Sequence, residues 1–133
     1  MTNCTNTIFM RTPFLVALAA LVGGCGAFVP VVNMQELPPA KRHAANSVQI
    51  LNSSQLTTTK FKVITVIEGH SCQNKLTDPP ATRAGAIEQI KYFASEAGAN
   101  AVTNIQCGGR EGTSTRTNCW ELISCTAEAL KVE

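Results

Sequence analysis

Four cysteines in the C-terminal half, Cys72, Cys107, Cys119 and Cys125, constrain this chain more than any other feature. Cys119 and Cys125 sit six residues apart in a stretch that reads as one strand. Extended, that stretch separates them by about 20 Å, whereas a disulfide needs Cα atoms within about 7 Å. Each must therefore pair with Cys72 or Cys107, and two pairings remain open. The even spacing puts Cys119 and Cys125 on one face of the expected strand. A structural zinc site of four thiolates is the competing use, but such sites bring their ligands in close pairs such as C-x-x-C. None exists here, so disulfides are expected and no metal. Stapling matters to a small domain whose few aromatics leave the core to Ile, Val, Leu and Ala.

The N-terminus points to an oxidising compartment. Arg11 precedes the apolar run Phe14–Val22, too short to span a bilayer but of signal-peptide length. Small residues and a cysteine follow. Leu21-Val22-Gly23-Gly24-Cys25 resembles the lipobox of bacterial lipoproteins, which implies cleavage before Cys25, a diacylglycerol on its sulfur and an acyl chain on its new amine. Two or more acyl chains hold a protein stably on a membrane. Residues 1–24 are thus read as a lipoprotein signal peptide, with no cofactor beyond the covalent lipid. Met10-Arg11 is the more typical signal start, which would make Cys4 irrelevant. Gly26, where inner-membrane retention uses Asp, favours sorting to the outer membrane.

Residues 25–46 read as a lipidated N-terminus and flexible tether: Pro30, Pro38 and Pro39 favour extended backbone and no period is visible. Residues 47–133 read as the folded domain. Val48 and Ile50 alternate with polar neighbours in a short strand, and 52–60 is polar loop. Phe61–Ile67 is apolar on both faces and predicts a central strand, followed by a loop at 69–77 carrying Cys72. Asp78-Pro79-Pro80 opens a helix capped by Asp78 or Thr82. Its apolar stripe is Ala84, Ile87, Ile90, Ala94 and Ala97, and Gly98 stops it. A strand over 100–107, with Ala101, Thr103, Ile105 and Cys107 on one face, a polar loop over 108–118 and a last strand from Cys119 to about Lys131 complete the chain. The order β-β-α-β-β predicts an α+β fold: a small mixed sheet with one packed helix, stapled by two disulfides.

Ser71-Cys72-Gln73, Asp78-Pro79-Pro80, Arg83, Ala99-Asn100-Ala101-Val102 and the three later cysteines together closely resemble the RcsF family over about Val48–Val132. That resemblance implies interlocked bridges, first to third and second to fourth: Cys72–Cys119 and Cys107–Cys125. It also implies an outer-membrane lipoprotein, with its head in the periplasm, that reports envelope stress to the Rcs phosphorelay. The implied partners are the barrel-assembly machinery, outer-membrane β-barrels and the inner-membrane regulator IgaA. The tether here is shorter and poorer in proline and lysine than in that family. About 20 residues reach at most roughly 70 Å.

Other classes are disfavoured. A net charge of +2 carries no basic surplus for nucleic acid. His70, two residues from Cys72, invites a Cys–His nucleophile, but a bridged sulfur is not nucleophilic, so His70 and His43 are read as surface loop residues. Glu88 and Glu96 lie two helical turns apart, too far for a carboxylate pair, and are read as solvated. Trp120, the only tryptophan, is read as core or edge packing, with a partner anchor as its other use. The expectation is a non-enzymatic signalling lipoprotein; the alternative is an assembly lipoprotein on the same fold.

Overall fold

The computed structural model describes residues 31–109 and 119–133. Cys4, Cys25 and most of the expected 108–118 loop lie outside them. The elements are α1 (Pro39–Ser47), β1 (Gln49–Ile50), α2 (Ser53–Leu56), β2 (Phe61–Gln73), α3 (Arg83–Glu96), β3 (Ala101–Cys107) and β4 (Glu121–Val132). One sheet runs in the order β1-β3-β4-β2, with β1 parallel to β3 and the other pairs antiparallel. The α+β class, the mixed sheet and the two bridges are as expected; two helices are added to the expected order.

The first added helix corrects the reading of the tether. Pro39–Ser47 is helical, with Pro39 in the first turn where its missing N–H costs no bond. It packs on α3 through buried Ala45, a Lys41–Glu96 ion pair of 2.8 Å, and the Lys41 ammonium over the Tyr92 ring. Helical periodicity was hidden because this one-residue apolar contact leaves the rest of the face polar. The second, α2, lies within the expected loop. Asn52 and Gln55 form a reciprocal capping box around it. In the 47–51 strand, only Gln49–Ile50 pairs, and Val48 and Leu51 are buried where Ile50 is exposed.

β2 departs most from expectation. It runs on to Gln73, so Cys72 lies in a strand and not in a loop. Gly69, expected to open the 69–77 loop, instead lies within the strand and lets α3 approach. A Cβ there would collide with the Ala86 carbonyl and sit 2.8 Å from the Ile90 amide nitrogen. β2 is also an edge strand, not the central one. Its apolar residues on both faces are only partly covered: Phe61, Val63, Ile64 and Val66 are exposed, while Ile67 joins the core.

Thr82 caps α3 by accepting from the Gly85 amide at 3.0 Å, and Gly98 ends it at φ +80°. Asp78 caps a turn instead, accepting from the Asn74 and Lys75 amides. The buried stripe is rotated from the predicted one: Ile90 and Ala94 hold, Ala86 is fully buried, and Ala84 and Ala97 are exposed. Ala86 with Gly69 sets the close approach that decides the rotation. The main core gathers Ala86, Ile90 and Ala94 against Ile67, Val102, Ile123, Ala127 and Ala129. A second cluster of Leu51, Ala101 and Leu130 sits apart from it.

β3 does not keep one face. Its register against β4 shifts between Thr103 and Gln106, where Asn104 adopts φ 52° and donates to Glu128 at 3.0 Å. Val102 joins the main core before the bulge, and Ile105 and Cys107 after it. The extra residue thus moves the predicted odd-numbered face from one side of the sheet to the other.

Candidate functional site

The chemistry-bearing residues converge at one end of the sheet. Cys107 and Cys125 face each other across β3 and β4, Cα atoms 4.0 Å apart, and are bridged. Cys72, at the end of β2, is bridged to Cys119, just before β4, across 5.5 Å. This is the pairing the resemblance implied. Cys119 precedes β4, so the even spacing that put it on the face of Cys125 does not operate. Cys125 belongs to the core beneath α3, opposite Gly69. Cys72 is three residues along β2 from Gly69, so strand alternation turns it to the other face. One bridge closes each face, and together they tie β2, β3 and β4 at one end.

His70 lies within this end. It was expected on a surface loop but is 3% exposed inside β2. Its Nδ1 shares a 2.9 Å hydrogen bond with Ser124 Oγ directly across on β4. Its Nε2 has no hydrogen-bond partner, and the nearest carboxylate, Glu68, is 3.8 Å away. The Cys72 sulfur beside it is bonded to Cys119, so the pair is a structural joint. The signal that places His70 inside is the period-2 continuation of β2 past Gly69, which the glycine masks. His43 is exposed on α1, Glu88 is exposed, and Glu96 holds Lys41.

Trp120 corrects a further reading: it is neither core nor covered edge. The buried position goes to Cys119, fully enclosed, and the next side chain emerges 53% exposed. Its backbone N–H donates to the Gln73 carbonyl at 2.8 Å, which fixes the residue to the end of β2. The adjoining turn is also well bonded. Gln73 Nε2 donates to the Asp78 carbonyl at 3.0 Å, and between them stands Leu76, 89% exposed. Next to this turn is a cleft of about 870 Å³ between the 31–35 segment, the end of β2 and the start of α3, lined among others by Val32, His70, Lys75 and Gln89. Gln89 crosses it, accepting from the His70 amide and donating to the Val32 carbonyl. Among the described residues, no three His, Cys, Asp or Glu side chains group to hold a metal, and no helix is long and apolar enough to cross a membrane.

A four-stranded mixed sheet with α3 across one face and two bridges at one end defines a disulfide-stapled α+β domain. The model of the RcsF lipoprotein family matches residues 29–133, and the chain belongs to that family of Rcs-related lipoproteins. A search of curated proteins returns no match to this chain.

Proposed function

We propose that this chain is an outer-membrane lipoprotein that senses envelope stress and activates the Rcs phosphorelay by protein–protein contact. The carrying observation is Trp120. A large aromatic stands exposed on an end made rigid by two bridges, and tryptophan anchored on a preorganised support is the common form of a binding hot spot. Family membership supplies the pathway. Anchoring is by acyl chains on Cys25, with the head domain in the periplasm. The contacts proposed are those the family implies: the barrel-assembly machinery, outer-membrane β-barrels and IgaA.

The packing of the linker shapes this reading. With α1 docked and Val32 held by Gln89, only the six residues between Cys25 and Val32 separate lipid from head, a reach of about 25 Å at most. The head then sits close to its membrane, and a partner must come to it or release the linker.

The test is an Rcs-dependent stress reporter under cell-wall stress, with the gene deleted and restored. Deletion should abolish induction, the wild type should restore it, and Trp120→Ala, with both bridges intact, should not. Induction unchanged by deletion would overturn the signalling reading in favour of an assembly lipoprotein. Full restoration by Trp120→Ala would remove Trp120 as the anchor.

A further inference from the structure

From the short leash and the apolar side chains beside it, we infer that the phospholipid surface holding Cys25 covers the disulfide end of the head, with Leu76 and Trp120 inserted at its headgroup boundary. The inference rests on the reading that Cys25 carries the lipid.

The chain enters the head at that end. Val31 and Val32 line the same cleft as Asn74, Lys75 and Asp78, and Gln89 fixes the Val32 carbonyl there. The six residues from Gly26 to Val31 lead back to the lipid, about 25 Å fully extended. β2 alone, at 13 residues, is about 40 Å long. The leash is shorter than the head, so the entry end is held at the bilayer. Phe61 and Val63, exposed at the far end of β2, start more than about 30 Å from Gln73. Val31, Leu76 and Trp120 are the large exposed apolar residues of the entry end.

A single exposed leucine is ordinary. Here Leu76 stands 89% exposed between Lys75 and the frame that carries Trp120. That frame is firmly bonded. The Asp78 carboxylate accepts from the Asn74 and Lys75 amides, Gln73 Nε2 donates to the Asp78 carbonyl, and the Trp120 N–H donates to the Gln73 carbonyl. Little ordering is left to lose on insertion. Leucine and tryptophan enter the headgroup boundary, and the exposed Lys75 can lay its stem along them while its ammonium meets phosphate.

The leash supplies the concentration. A short tether holds its ends at roughly millimolar effective concentration, so a contact too weak to recruit a free domain is occupied in an anchored one. A partner that takes Trp120 must then draw this end off the lipid.

Trp120 is the only tryptophan, so its fluorescence reports this end alone. The test is reconstitution of the full lipidated chain in vesicles of phosphatidylethanolamine and phosphatidylglycerol, with bromine on the acyl chains as a contact quencher. Emission should fall by about twofold or more against unbrominated vesicles, as expected for a ring at the headgroup–acyl boundary. Leu76→Asp, at a side chain left almost wholly to solvent, should lower the contact constant read from the quenched fraction by about tenfold or more. About 18 Gly and Ser residues inserted after Gly26 lengthen the leash about fourfold and should lower it by about eightfold. Flotation of the same vesicles reads the anchor separately. A chain that floats without quenching, or whose quenching survives both changes, overturns the inference and leaves the anchor standing. A chain that does not float removes the anchor, and the inference with it.

Discussion

Gln89 bridges His70 to the linker: its Oε1 accepts from the His70 amide at 3.3 Å and its Nε2 donates to the Val32 carbonyl at 2.7 Å. One buried amide thus closes the edge of β2 at the disulfide end and tethers the chain entering the domain. Gln89→Leu should cost about 1–3 kcal/mol, because it leaves the His70 N–H without its acceptor. It should also free the linker. Denaturant unfolding and faster hydrogen exchange at His70 read the first effect, and faster exchange at Gln35 and Glu36 reads the second. Unchanged exchange at His70 would show that Gln89 does not close the edge.

Gly69 is the closest approach of β2 to α3. Gly69→Ala should destabilise by about 1–3 kcal/mol, since the methyl group meets backbone that cannot rotate aside. Gly109→Ala is the matched control, with nothing near its added carbon. Equal midpoints for the two variants in chemical denaturation would refute the steric account.

The two bridges close loops of different length, 47 residues apart for Cys72–Cys119 and 18 for Cys107–Cys125. In the chain-entropy model the first contributes about 4 kcal/mol and the second about 3 kcal/mol. Paired replacement by alanine should therefore cost more for Cys72 and Cys119. A larger loss for the Cys107–Cys125 pair, measured by urea unfolding, would show that burial of those sulfurs in the core outweighs loop closure.

Lys41 carries a pH effect. Its hydrogen bond to Glu96, helped by Tyr92, holds its pKa above the ordinary 10.5. A raised pKa on a cation stabilises the folded form fully below the ordinary value, and the effect is lost as pH rises through the raised one. The docking of α1 should therefore weaken above pH 10.5, and also in high salt, because both partners are exposed. NMR titration of the Lys41 side chain in the wild type and in Glu96→Gln checks this: the variant should titrate lower.

Much of the domain was legible before folding. Phe61–Ile67 announced a strand by its β-branched run, Thr82 a helix start, Gly98 its end, and residues 100–107 a returning strand. What was misread shares a cause. Gly69 and Asn104 interrupt local pattern for reasons located in other elements: the approach of α3 in one case, the bulge against β4 in the other. His70 and Trp120 exchanged places with expectation for a like reason. A polar residue is buried because Ser124 and Gln89 meet its ring and amide, and an aromatic is exposed because Cys119 took the interior.

By itself, the sequence determined the class of fold, the number and order of strands, and that the cysteines outside the signal region would close as disulfides. These follow from local period, turn chemistry and the reach of an extended chain, all properties of neighbours along the backbone. Tertiary structure alone decided that β2 lies at the edge, that the linker folds back onto α3, and which face each bridge closes. Those outcomes depend on which surfaces meet. An apolar strand has the same sequence pattern whether its second neighbour is another strand or water, and only the packed sheet shows that β2 was left without one.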